Sequence, residues 1–220
     1  MIVAARNEVE RIPVTIAALR EALPSAVVWV ADDASTDGTT EAAMAAGARV
    51  VSRRRPHGKG GNVSAAADAA LSGEPPSRLV LLCDADLGGT AKELGALVDA
   101  VERDECDLAI AAFKVRGGGG FGVVVGFARW AIRRRSGYEA RAPLSGQRAM
   151  KAEVLRSLLP LAAGFGLETG MTIDAVRAGW RINELELDLA HRATGRTLAG
   201  FAHRARQLLG SARAYLARRQ

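Results

Sequence analysis

Three short segments hold residues whose types and spacing could do chemistry. In Leu79-Val-Leu-Leu-Cys-Asp84-Ala-Asp86 a hydrophobic run ends in two carboxylates one residue apart. On a strand, residues i and i+2 share a face, so both carboxylates are expected to converge on one point. Paired hard oxygens there would suit Mg2+ or Mn2+ bridging to a diphosphate. Equally, one aspartate could cap the next helix and the other sit in water. In Val28-Trp-Val-Ala-Asp32-Asp33-Ala-Ser-Thr-Asp37-Gly38 a second run ends in carboxylates that could accept from a ribose hydroxyl or a base N–H. A turn entering a helix would explain half of these residues without a ligand. The third segment, His57-Gly58-Lys59-Gly60-Gly61-Asn62, opens a helix with amides and a lysine that suit an anion, or is a surface loop. It is not the phosphate loop GxxxxGK[ST], because Arg53 replaces the first glycine and Gly60 the hydroxyl residue.

The elements that must hold these segments alternate in type. Ile2–Ala5, Val27–Ala31, Arg49–Ser52, Leu79–Cys83 and Leu108–Ala112 read as buried strands rich in Val, Ile and Leu. Val9–Leu23, Thr39–Ala46, Asn62–Leu71 and Thr90–Arg103 read as helices between them, the second capped by Thr36 or Asp37 and the fourth by a Thr90/Glu93 capping box. This order predicts an α/β fold with a doubly wound, mostly parallel sheet flanked by helices. Ligands of such sheets bind beyond the carboxyl ends of the strands, where all three polar segments fall. After residue 113 the rhythm changes. A basic, glycine-rich loop (Lys114–Gly122) precedes a helix to Arg135, a short strand or turn at Leu144–Met150, and helices at Ala152–Leu159 and Phe165–Ala178. A strand-like Arg181–Leu189 follows, then an amphipathic C-terminal helix over Thr197–Ala217.

Length and composition agree with one packed domain. The chain has 220 residues, 49% hydrophobic and 25% charged, which excludes a disordered chain. No apolar run reaches membrane-spanning length, and Arg6, Asn7 and Glu8 follow the first strand too soon for a secretory signal. Two cysteines make neither a disulfide framework nor a zinc cluster, so a cytoplasmic location is expected, with the inner membrane face as a variant. Net charge is +6, yet His191–Gln220 alone holds seven arginines and no acid. The remainder is therefore nearly neutral, and the pI of ≈ 10.0 belongs to the tail. A nucleic-acid-binding domain would spread its basic surface over the fold, so none is expected as a partner.

In order and spacing the three segments resemble the glycosyltransferases of the GT-A fold, in particular glycosyltransferase family 2 and the related glucosyl-3-phosphoglycerate synthases. The likeness covers residues 2–112 and resumes at Ser145-Gly146-Gln147-Arg148-Ala149-Met150, at Gly164-Phe-Gly-Leu-Glu168-Thr-Gly170 and at His191. It implies one domain, with a nucleotide-binding half (1–112), an acceptor half (113–196) and a basic C-terminal helix (197–220). It implies transfer of a hexose from a nucleotide diphosphate sugar to an acceptor hydroxyl or phosphate, on a small molecule or a lipid phosphate. Ala4, Ala5, Glu8 and Asp33, with Asp32 as the second choice, would hold the nucleoside, Lys59 the base or sugar nucleotide, and Gly146, Gln147 and Arg148 the substrates. Asp84 and Asp86 would act on ribose, sugar and metal, with His191 completing the coordination of Mg2+ or Mn2+ through Asp86. Glu168 would be the general base of an inverting transfer to a hydroxyl, whereas a phosphate acceptor needs none. The likeness of Gly164–Gly170 to the synthases points to retention instead; the family 2 likeness of the first half tips the reading to inversion.

Taken singly, these residues have plainer readings: His191 as a packing residue, Glu168 as a surface pair, Arg148 as a solvated charge. Gly117–Gly122 formally matches GxGxxG but follows the fifth strand, not the first, which argues against a dinucleotide fold. A phosphatase using Asp-x-Asp would carry it on its first strand. The remaining alternative is a weak or inactive transferase fold that binds a nucleotide or an anionic partner through its tail. In that tail Leu198, Phe201, Leu208 and Leu209 are expected to pack on the domain or a second subunit, with peripheral membrane contact as the other possibility.

Overall fold

The computed structural model describes residues 1–53, 55–56, 58–73, 77–114, 122–162, 164–190 and 198–218, with backbone alone at 165 and 198–207. Its strands are β1 (Ile2–Ala5), β2 (Trp29–Asp32), β3 (Arg49–Ser52), β4 (Leu79–Asp84), β5 (Leu108–Phe113), β6 (Arg148–Lys151) and β7 (Ile182–Leu187). They form one sheet ordered β3-β2-β1-β4-β6-β5-β7, parallel throughout except for β6, which runs against both β4 and β5. Central strands β1, β4 and β5 are buried almost continuously, while the edge strands β3 and β7 keep exposed positions. That is the pattern of a sheet covered on both faces.

The helices are α1 (Ile12–Ala22), α2 (Thr39–Ala45), α3 (Gly58–Leu71), α4 (Gly95–Glu102), α5 (Gly122–Ser136), α6 (Ala152–Leu158), α7 (Leu167–Arg177) and α8 (Leu198–Ala217). Strand alternation sorts the core into two layers. Val3, Val30, Leu81, Cys83 and Ala109 pack with α1, α2 and α4, whereas Ile2, Ala31, Leu82, Leu108 and Ile110 pack with α3, α6 and α7. Outside α7, Ile132 of α5 meets Ile173, and α8 lies against α5 and α7. Both cysteines are buried free thiols.

Of three local expectations, one is corrected and two are decided between their alternatives. The fourth helical segment begins as a 3-10 helix (Gly88–Leu94), and the Thr90 hydroxyl donates to the Leu87 carbonyl, so the Thr90/Glu93 capping box does not form. The lysine-glycine segment is no surface loop: Gly58 to Gly61 are the first turn of α3. The second helix does use Asp37, which accepts from Thr39 N at 3.1 Å, although Gly38 occupies the cap position.

Candidate active site

Strand phase decides which carboxylates reach the carboxyl edge on the α3/α7 side. Asp84 closes β4 in phase with Val80 and Leu82, beside Ala4 of β1, and so faces α3 and α7. Lys59 comes from the first turn of α3 and Glu168 from the first turn of α7. The Lys59 ammonium bridges them, 2.6 Å from Asp84 Oδ1 and 2.8 Å from Glu168 Oε1. Burial alone would lower the Lys59 pKa, but the two carboxylates outweigh it and hold the ammonium above the usual lysine range. Gln147, buried just before β6, donates from Nε2 to Asp84 Oδ2 at 3.2 Å. Both oxygens of Asp84 thus have protein partners.

Asp32 and Asp33 point to opposite faces. Asp32 is in phase with Val30 and accepts from Ser35, from Thr40 at 3.0 Å and from Ser52 at 2.9 Å. These bonds make it the fastening of the β2–α2 turn and correct its placement with the nucleoside. Asp33 follows in phase with Ala31, accepts from Gly58 N at 3.2 Å and from Asn62 Nδ2, and has Arg6 at 3.5 Å. Here Gly58 has φ +74°, and a Cβ on it would stand 3.1 Å from the Gly164 backbone, so α3 starts where only glycine fits.

A cleft of ≈ 1150 Å³ opens above this edge, with Ala4, Ala5, Asp33, Lys59, Asn62 and Asp84 on one side. Gly164 and the α8 residues Leu209, Gly210, Arg213 and Ala217 form its other wall. Asn62 was not singled out from the sequence, although it closes the lysine-glycine segment. Its Oδ1 is buried without a partner among the described residues, beside Asp33 in the cleft. Beneath the cleft, Lys59, Gly146, Arg148 and Glu168 line an enclosed space of ≈ 10 Å³, about one water.

Three further expectations change. Arg148 is 1% exposed and donates to Ser145 O, Thr172 Oγ1 and Glu168 O; burial lowers its pKa to about 10 against the opposing charge of Glu168. It positions the Gly146 turn and the start of α7 from inside and does not face the cleft. Glu8 is turned onto Arg11 at 2.8 Å. Asp86 does not share a strand face with Asp84, because β4 stops at Asp84 and Asp86 lies in the following turn, half-buried. There it adds to the charge that Glu8 chiefly supplies around Arg11. His191 lies outside the described residues.

The donor set fits a hard divalent cation. Among the described residues no three His, Cys, Asp or Glu side chains cluster as ligands. Asp84 is held by Lys59 and Gln147, and Asp86 in the following turn is a second hard oxygen donor near the sheet edge; a cation bound there would need diphosphate oxygens and water to fill its coordination. Mg2+ and Mn2+ are held in this way, by few protein oxygens plus phosphate and water.

The chain matches the family described as Glycosyl transferase family 2 over residues 1–151. Undecaprenyl-phosphate mannosyltransferase of Micrococcus luteus is 30% identical over 210 residues, 86% of this chain and 82% of that protein. The structure of glucosyl-3-phosphoglycerate synthase from Mycobacterium tuberculosis with Mn2+, uridine diphosphate and glucosyl-3-phosphoglycerate superposes with a TM-score of 0.78. Identity is 28%, over 99% of this chain and 78% of that one. The same enzyme with Mn2+, uridine-diphosphate-glucose and phosphoglyceric acid gives 0.77 at 30% identity, with the same coverage.

Proposed function

This chain belongs to glycosyl transferase family 2, and on that premise we propose that it moves a hexose from a nucleoside diphosphate sugar to a phosphate-bearing acceptor with the help of Mg2+ or Mn2+. It is a nucleotide-sugar-dependent glycosyltransferase. The observation that carries the finer reading is the Asp84–Lys59–Glu168 bridge, which joins three distant segments at the sheet edge under the cleft.

Each residue then has a role. Asp33, with Asn62 beside it, accepts from the nucleoside. Arg6 is half-exposed next to Asp33 and available to the donor's phosphates. Gln147 and Lys59 fix the Asp84 carboxylate toward the sugar, and Lys59 keeps Asp84 and Glu168 from repelling each other. Asp86 and His191 would hold the metal, which when bound would supply positive charge for the departing diphosphate. Glu168 is 5% exposed and its charge is taken up by Lys59, so proton abstraction by it would require the lysine to move first. A phosphate oxygen as nucleophile needs no such base, whereas a hydroxyl on a phosphate-bearing acceptor would need Lys59 to release Glu168. One relative's name carries a lipid phosphate and the other's ligand is phosphoglyceric acid, so a phosphate on the acceptor, not the attacking atom, is what the two share.

A thermal-shift screen of nucleoside diphosphate sugars with Mg2+ or Mn2+, followed by proton NMR of the anomeric product, tests this. Stabilisation by a sugar nucleotide that needs the metal is expected. No response to any sugar nucleotide or nucleoside diphosphate would overturn it.

A further inference from the structure

Seven large hydrophobic side chains are strongly exposed among the described residues, and four of them lie on two packed helices. On α5 they are Val123 (76% exposed) and Trp130 (50%); on α8 they are Leu209 (58%) and Leu216 (49%). Each pair is spaced i, i+7, so each forms a stripe along one side of its helix. The stripes are joined where the Trp130 ring meets Tyr215, centroids 4.9 Å apart, with Phe127 at 5.5 Å from the same ring.

The same helices are strongly basic. Neither α5 nor α8 contains an acidic residue, and α5 alone carries Arg129, Arg133, Arg134 and Arg135. Arg129, Arg133 and Arg134 are exposed. Glu139, just past α5, stands 3.5 Å from Arg133 with both side chains mostly in solvent.

We infer that the α5–α8 pair is a docking face for an anionic lipid bilayer, and that it brings the mouth of the cleft to the membrane surface. Apolar stripes with an aromatic residue, flanked by arginines and free of acids, match the interfacial region of such a bilayer. A nucleic acid would use the arginines but gain nothing from Val123, Trp130, Leu209 and Leu216. A second copy meeting this face through a two-fold axis would set arginine rows against themselves. The geometry also gives the docking a purpose. Leu209, Arg213 and Ala217, spaced i, i+4, i+8 on α8, line the cleft. A bilayer against α8 therefore lies at the entrance through which a lipid-linked phosphate would reach Asp84. The docking itself is independent of the proposed reaction; only the source of the acceptor rests on that reading.

The test is cosedimentation of the full chain with phosphatidylglycerol-containing vesicles and with pure phosphatidylcholine vesicles. Binding to the first alone is expected, weakened by salt, with a blue shift of tryptophan emission that Trp130→Phe removes. Two double variants, Val123→Asp/Leu216→Asp and Arg133→Glu/Arg134→Glu, should each lose about tenfold or more in vesicle affinity. Their melting temperature and nucleoside diphosphate binding should stay unchanged. Lack of wild-type binding, or variants that bind like wild type, would overturn the inference. So would a dimer in sedimentation velocity that Val123→Asp/Leu216→Asp dissolves, since the face would then belong to a second copy. Lipid-free nucleotide binding reports separately on the transferase reading, so the two can fail independently.

Discussion

Gly146 is where the site is tightest. A Cβ there would collide with the Lys59 ammonium and stand 2.9 Å from Asp84 Oδ2. Both obstacles are ends of side chains, so Gly146→Ala should cost no more than about 1 kcal/mol of stability. It should nevertheless displace the bridge by an ångström or so and lower activity about a hundredfold. Matched melting curves and single-turnover rates check this, and a near-normal rate would mean that the bridge is structural. Asp86 and His191 pose a contrast at the same scale. Asp86→Ala removes a hard charged ligand and is expected to cost about a hundredfold or more, the several kcal/mol that metal neutralisation supplies. His191→Ala removes a ligand that water can replace, so it should raise the metal requirement about tenfold with less effect at saturating Mn2+. A wild-type metal activation curve for His191→Ala would remove His191 from the site. Much of this constellation was legible because strand ends, Asp-x-Asp and Gly-Lys-Gly are local patterns. Asp32 could not be told from Asp33 by type. Alternation separates them, but which face carries the site depends on α3 and α7 packing there. Arg148 escaped for a related reason, since nothing local announces that Ser145, Thr172 and Glu168 will satisfy its guanidinium inside.

Elements with strong periodicity could be placed from the sequence to within a few residues, as β1 and β3 illustrate. For the antiparallel β6 the sequence offers only a short strand or turn over Leu144–Met150, because Ser145-Gly-Gln-Arg148-Ala-Met-Lys151 has neither alternation nor an apolar run. It is a strand because β4 and β5 offer it hydrogen bonds on both sides. Helix α8 was read by its larger apolar residues, but it turns Gly210, Ser211 and Ala214 inward and leaves Leu209 exposed, so that expected packing residue is corrected. Close approach explains the choice: a Cβ on Gly166 would lie 2.6 Å from the Gly210 carbonyl oxygen and 3.1 Å from Ala214 Cβ. Backbone cannot yield cheaply, so Gly166→Ala should push α8 outward at about 1–3 kcal/mol. Faster hydrogen exchange over 208–218 would report it, and unchanged exchange would refute it. At the other end of the sheet, Asp107 accepts from Arg181 at 3.0 Å and Lys151 at 2.7 Å, tying β5 to β7 and β6. Arg181 above all, then Lys151, outweighs burial and holds the carboxyl well below the usual carboxylate range. A depressed acid stabilises the fold above its unfolded pKa of about 3.9 and loses that contribution as pH falls toward its folded value. Asp107→Asn should therefore cost about 2–3 kcal/mol at neutral pH, and the two stability curves should converge below about pH 4. Parallel curves down to pH 3 would refute the ion-pair account.

Across the whole molecule the proposed nucleotide and acceptor halves share one sheet. β6 comes from the second half yet sits between β4 and β5 of the first, and β7 pairs with β5. Asp84 of β4 is held by Lys59 of α3 and by Gln147 next to β6, so the site itself spans the division at residue 112. No cut there leaves either part with a complete sheet. Melting should accordingly be one transition, with calorimetric and van't Hoff enthalpies in agreement. A ligand that touches only the first half should then stabilise both. At a concentration of 100 times its Kd, a nucleoside diphosphate with Mn2+ contributes about 2.7 kcal/mol. For a chain of this size each kcal/mol moves the melting temperature by about 2–4 °C, so a rise of roughly 5–10 °C is expected. Trp29 in β2 and Trp180 just before β7 offer a probe in each half. With Trp130 replaced by Phe in both, if the melting midpoint read by tryptophan emission rises by the same amount on adding nucleotide in a Trp29→Phe variant and in a Trp180→Phe variant, the halves unfold together. A shift confined to the variant that keeps Trp29 would mean that the second half melts alone, and the interleaved sheet would then not couple the acceptor side to donor binding.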